Sequence, residues 1–281
     1  MSTEVPTQST TDVVEVVDEA PGRPGRLRRY WRTYGLAALF TLFLLALWEA
    51  IVRAADIPEY LLPAPSQIVI ALKEDWATIL GPATWVTLRE VVIGFAVAAV
   101  TGIGLAIVLH LFGPLRRAVY PLLIGSQTIP IVVLAPILVI LLGYGILPKL
   151  VIVALICFFP IVVNGLDGLR SVDDDFVTMM RTLDASRWAI FRRVEFPGAL
   201  PSIFSGMRIA ATFASIGAVF GEWSGASSGL GFVMLEATPN LQTARIFAAI
   251  LILTLIALAL FGIVSLFERI LVPWAPRRGT V

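Results

Sequence analysis

Cysteine and histidine are nearly absent: Cys157 and His110 are the single representatives of their kinds in 281 residues. One cysteine cannot close a disulfide within the chain, and the pair cannot supply the ligands of a Cys/His metal centre. Cys157 lies inside an apolar run, where a packing role is expected. Charge is scarce as well, at 15% Asp, Glu, Lys and Arg, against about 25% in ordinary soluble domains. No G-x-x-x-x-G-K-[ST] run occurs, so the chain offers no backbone cradle for nucleotide phosphates. It also lacks a G-x-S-x-G elbow and any clustered His/Asp/Glu set, which argues against a membrane enzyme. No cofactor and no nucleic acid is expected on this chain.

What fills the sequence instead is apolar surface: 58% of the residues are hydrophobic and the mean hydropathy is +0.88. No soluble fold of this length could hide so much. Runs close to the ~20 residues needed to cross ~30 Å of hydrocarbon recur along the chain. Stretches such as 246–260 are apolar on every face rather than alternating, which excludes a transmembrane barrel. The expected architecture is an all-α membrane protein in the lipid bilayer with six transmembrane helices. They are read near 34–52, 85–112, 119–142, 147–166, 203–220 and 244–271, with an interfacial helix at 66–82 after the proline-rich loop DIPEYLLPAP.

Before the first span, 1–32 reads as a disordered acidic tail followed by a basic membrane-adjacent segment, Arg23 to Arg32; 33–272 is the membrane domain and 273–281 a short tail. The first apolar run starts too late for a cleaved signal peptide and is kept as a span. Arginine sets the orientation, because basic residues stay on the cytoplasmic side. The N-terminal arginines, Arg116, Arg117, Arg170, Arg181, Arg187, Arg192, Arg193, Arg277 and Arg278 share one side; only Arg53, Lys73, Lys149 and Arg245 fall on the other. Both termini and the loop 168–202 are therefore expected in the cytoplasm, with 54–84 and 221–243 outside.

The loop 168–202 is neither low in complexity nor a linker. Asp173, Asp174 and Asp175 precede a helical stretch whose N-terminal end favours negative charge, and Asp184 or Ser186 can cap a second helix beginning near Arg187. That second helix carries Trp188, Phe191 and Val194 at spacings of three, beside Arg187, Arg192 and Arg193. Such a helix can lie in lipid headgroups or dock in a groove of a cytoplasmic partner.

This segment resembles the cytoplasmic loop of binding-protein-dependent ATP-binding-cassette importers, whose pattern is E-A-A, three residues, G, nine residues and I-x-L-P. With Val194, Glu195, Phe196 and Pro197 at its end, the glycine position holds Asp184 and the E-A-A positions hold Thr178, Met179 and Met180. Aspartate can occupy the left-handed backbone that a glycine there would supply. The likeness extends to YLLPAPSQI at 60–68, GSQTIPIVVLAPILVILLGYGILPK at 125–149 and LDASRWAIFRRVEFPGALPSIFSGMRIA at 183–210. It implies the type I (MetI-like) permease fold, two copies pairing as a homodimer, and a separate cytoplasmic ATPase holding ATP and Mg. It also implies an extracytoplasmic solute-binding protein and a coupling helix formed by Asp184, Ala185, Ser186, Arg187, Trp188, Phe191, Val194 and Pro197. Within the superfamily the chain looks like the branch for nitrate, sulfonates and taurine. GEWSGASSGLGFVMLEA at 221–237 is most similar to permeases for pyrimidine thiamine precursors or riboflavin.

Polar groups inside spans are costly and usually face protein or water, which selects Ser126, Gln127 and Thr128, followed by the helix-bending Pro130, as lining of a translocation path. Glu222 and Trp223 are expected at an outer gate or against the binding protein, and Asn164 with Asp167 at an inner gate or as loop caps. Gly102 and Gly104 are expected at close helix crossings. His110 has no carboxylate near it in sequence, so no proton relay is read there. A secondary transporter or channel would call for intramembrane ion pairs or an inverted repeat, and the spans display neither in sequence.

Overall fold

A computed structural model describes residues 26–274, with side chains from 35 onwards. The acidic segment 1–21 and the C-terminal Arg277 and Arg278 lie outside the described residues. Two compact units are distinguished, Met1–Trp48 and Glu49–Val281.

The first unit holds most of helix α1 (Arg26–Ala54), which begins inside the stretch expected to be a tail. Leu36, Leu39, Phe40, Leu42 and Phe43 are exposed all round the helix, the pattern of a helix solvated by hydrocarbon.

The second unit is helical among its described residues: α2 (Pro65–Asp75), α3 (Gly81–Leu111), α4 (Gly113–Ser126), α5 (Ile131–Leu142), α6 (Ile146–Arg170), α7 (Asp174–Thr182), α8 (Arg187–Ile190), α9 (Phe196–Trp223), α10 (Leu230–Ala237) and α11 (Thr243–Leu271). Helices α3, α6 and α9 form the packed centre; α11 lies on α9 and α2 on α11. Small residues permit the close crossings. A Cβ on Gly206 of α9 would stand 2.6 Å from the Pro160 carbonyl oxygen of α6, and one on Gly102 of α3 would stand 3.0 Å from Ile161. Gly104 differs from expectation, since nothing lies within 4 Å of its Cβ position. Cys157 is fully buried in this centre, its Sγ 3.4 Å from the Ala210 carbonyl oxygen.

The expected separate helix at 66–82 is α2, but it does not stop. A π-helical turn, Trp76–Leu80, carries it into α3, so helix runs unbroken from Pro65 to Leu111. The reason is Pro82, which lacks an N–H for the ordinary helical bond: the Gly81 N–H in front of it reaches Trp76 O instead. The same device recurs at Phe191–Glu195, where the Phe196 N–H before Pro197 reaches Phe191 O. That turn extends α9 seven residues below the expected start of the fifth span, from Ile203 to Phe196.

The expected third span is not one helix. α4 and α5 meet at 101° around Gln127–Pro130, because Pro130 has extended backbone and caps α5. Among the described residues five helices are long and apolar enough to cross a membrane, or six if the bent pair counts as one.

Candidate functional site

Three places gather the polar chemistry, and the cytoplasmic loop is the first. Asp173 caps α7 by accepting from the Asp175 N–H at 2.9 Å, and Ser186 Oγ caps α8 by accepting from Ala189 N–H at 3.3 Å. Between these helices Asp184 takes φ +53°, the left-handed conformation its place in the pattern requires. Asp184, Ser186, Arg187 and Trp188 are exposed, and Ala185, Val194 and Pro197 half-buried.

The docking set divides in two. Trp188 is 61% exposed, whereas Phe191 is 5% exposed and belongs to an apolar cluster with Leu109, Leu166, Leu169 and Ile203. The reading of Phe191 as an outward anchor is corrected: it roots the element in the core, and Trp188 stacks on it with ring centroids 5.2 Å apart. Glu195, which closes the turn begun by Phe191, is buried. Its Oε2 lies 2.9 Å from His110 Nε2 and its Oε1 accepts from Arg187 Nη1 at 3.1 Å. His110 thus has a carboxylate partner, 85 residues away in the chain.

The second place is the break between α4 and α5. Ser126, Gln127, Thr128 and Pro130 are all exposed there. Ser126 Oγ donates to Leu123 O at 2.7 Å at the end of α4, and Thr128 Oγ1 donates at 2.8 Å to Gly125 O, which also accepts from the Thr128 N–H. Asn164 is half-buried and its Nδ2 donates to Pro160 O at 2.8 Å, within its own helix.

The third place lies at the opposite end of the helical centre. Glu222, expected to face the outside, is 0% exposed. Its Oε1 accepts from Thr87 Oγ1 at 2.6 Å, its Oε2 accepts from the Gly231 N–H, and Thr87 Oγ1 in turn accepts from the Leu230 N–H at 2.8 Å. Two free amides at the start of α10 are capped by a carboxylate and a hydroxyl from α9 and α3. A contact of Glu222 with a binding protein is therefore overturned by its burial. Trp223 is 43% exposed, and its Nε1 donates to Gly231 O at 3.0 Å.

Beside this cap Lys149 Nζ donates to Glu90 Oε1 at 2.7 Å, with both side chains buried. Glu90 Oε2 is buried without a hydrogen-bond partner among the described residues. An intramembrane ion pair thus exists where none was read. Lys149, counted with the outer-side cations at the start of the span read near 147–166, is buried near the start of α6. The signal for the partners of Lys149 and Glu222 was Glu90 and Thr87, three residues apart on one face of an apolar helix.

Residues 98–275 match the family described as "Binding-protein-dependent transport system inner membrane component". The formylaminopyrimidine transport permease protein ThiX of Halalkalibacterium halodurans is 39% identical over 240 residues, covering 85% of this chain and 96% of that one. The riboflavin transport system permease protein RibX of Chloroflexus aurantiacus is 34% identical, covering 83% of this chain and 87% of that one. Among solved structures, a chain of the MetNI methionine ABC transporter in inward-facing conformations aligns with a TM-score of 0.55 at 20% identity, over 69% of this chain and 98% of its own length.

Proposed function

Because this chain belongs to the binding-protein-dependent inner membrane components, the multi-pass permease subunits of ATP-binding-cassette importers, we propose an assignment of its working parts. It is a membrane subunit and not an enzyme; ATP is hydrolysed on a separate chain, and the family works with a solute-binding protein. The proposal adds topology, coupling and cargo.

The bent pair α4–α5 counts as one span, giving six, and the arginine asymmetry puts both termini and the loop 168–202 in the cytoplasm. A second copy completes the path, with Ser126, Gln127, Thr128 and Pro130 at the helix break as its lining. ATP and Mg are held by the partner ATPase. The element Asp184–Pro197 docks in that ATPase, with Trp188 as the inserted anchor and Ala185, Ser186 and Arg187 around it.

The observation that carries the docking assignment is the exposure of Trp188 on a base that cannot yield: a large aromatic presented outward, stacked on a ring sunk in the core. Co-purification tests it. Trp188→Glu is expected to abolish retention of this chain on its tagged ATPase and to stop uptake; unchanged retention and uptake would remove the assignment. The favoured cargo is a thiamine-precursor pyrimidine or a riboflavin-like molecule, supported by the formylaminopyrimidine and riboflavin permeases named above. Sulfonate, taurine or nitrate is the second reading. Ligand identification on the paired binding protein separates them.

A further inference from the structure

We infer that His110 is the positioning residue through which movement of the cytoplasmic loop reaches α3, by way of the buried carboxylate of Glu195. The inference rests on the docking of that loop to an ATPase proposed above.

Glu195 closes the π-helical turn between α8 and α9, seven residues after the exposed Trp188. Its side chain is only 6% exposed, yet both oxygens are engaged, one by His110 of α3 and one by Arg187 of α8. A buried carboxylate without partners is expensive, so removal of a donor is felt. The two donors differ in kind. Arg187 is 51% exposed and belongs to the loop itself, so it moves with Glu195. His110 is 8% exposed and sits at the last turn of a helix that belongs to the packed centre. The hydrogen bond across 85 residues therefore ties the last turn of α3 to the turn that leads from the loop into α9.

The ring is held with some exactness. Phe191 stands beside it at 6.2 Å between centroids, and His110 Nδ1 is buried with no partner among the described residues. Only Nε2 makes the connection. Apolar packing of Phe191 near Leu109 would resist compression of the loop against α3, but it has no directional hold against separation. The Nε2–carboxylate contact supplies that hold.

The geometry sets the test, made on the assembled importer with its ATPase and binding protein in proteoliposomes, reading solute transported per ATP hydrolysed. A glutamine amide reaches the place of Nε2, and an asparagine amide reaches only that of Nδ1. His110→Gln is expected to keep the ratio within about twofold, while His110→Asn lowers it about tenfold, the scale of one charge-assisted hydrogen bond. Both should co-purify with the ATPase as wild type does. Equal ratios for the two variants overturn the inference. So does failure of both to assemble, which would make His110 a folding element. Trp188→Glu in the same preparation separates the premise: if it still binds ATPase, the docking reading fails whatever His110 does.

Discussion

Removing the ammonium of Lys149 should be among the most damaging single changes available outside the cytoplasmic loop. Lys149→Met keeps the unbranched apolar stem and deletes the charge, leaving Glu90 buried with one oxygen newly unpaired and the other already so. Breaking a buried pair from one side costs about 3–5 kcal/mol, because the surviving charge has lost both water and partner. For a domain of this size each kcal/mol moves the melting temperature by about 2–4 °C. A fall of at least about 6 °C in purified protein is expected, scanned at one fixed rate because such unfolding is often irreversible. The second arm uses the asymmetry of the penalty. Lys149→Met combined with Glu90→Gln removes both charges, and replacing a buried pair wholesale is commonly near neutral. The double variant should recover at least half of the loss. If it melts as low as Lys149→Met alone, the damage came from packing and not from an orphaned carboxylate, and the reading of this cluster as an ion pair under mutual obligation is refuted.

Three further outcomes follow from the same geometry. Gly229→Ala should destabilise by about 2–4 kcal/mol, since its Cβ would fall 2.2 Å from Glu222 Oε1 at φ +120°; thermal melting checks it, with Gly262→Ala, whose Cβ meets nothing within 4 Å, as the control. Glu222→Gln turns an acceptor into a donor facing Thr87 or Gly231, a loss of about 1–3 kcal/mol that should appear as faster proteolysis within 224–242. Asp184→Gly should stabilise by about 1 kcal/mol by relieving left-handed backbone at φ +53°, whereas Asp184→Val should cost at least as much, both read by melting.

The spans were legible because apolar length is a local property and the bilayer fixes it. The departures have local causes too, but of a kind that length does not report. Pro82 and Pro197 look like helix breakers in the sequence, and both sit in continuous helix because a π-helical turn lets the preceding residue bond five positions back. Pro130 looks the same and does break its helix: its backbone is extended, and tight backbone turns at 124–129 together with the Ser126 and Thr128 hydroxyls meet the carbonyls before it. Which course a proline takes depends on the bonding possibilities of its neighbours. The Ser-Gln-Thr-Ile-Pro run at 126–130 carried that information; the Leu-Gly-Pro and Glu-Phe-Pro runs did not.

The three buried acids behave differently, because each meets a partner far away in the chain. Glu90 finds Lys149, Glu222 finds Thr87, and Glu195 finds His110. No window of sequence contains any of these pairs, and hydropathy treats each acid as a flaw in a span or a mark of a loop. Their placement becomes intelligible only on α3. Glu90 and His110 are twenty residues apart on that helix, about 30 Å at the usual rise, which is the depth of the hydrocarbon. Between them the helix meets α6 through small residues, Gly94 against Val153 and Gly102 against Ile161. Those contacts are close but carry no directional bond. Directional bonds at the two ends fix rotation and depth, so the polar residues that reading the sequence discounted are the ones that hold α3 in register with the rest of the bundle.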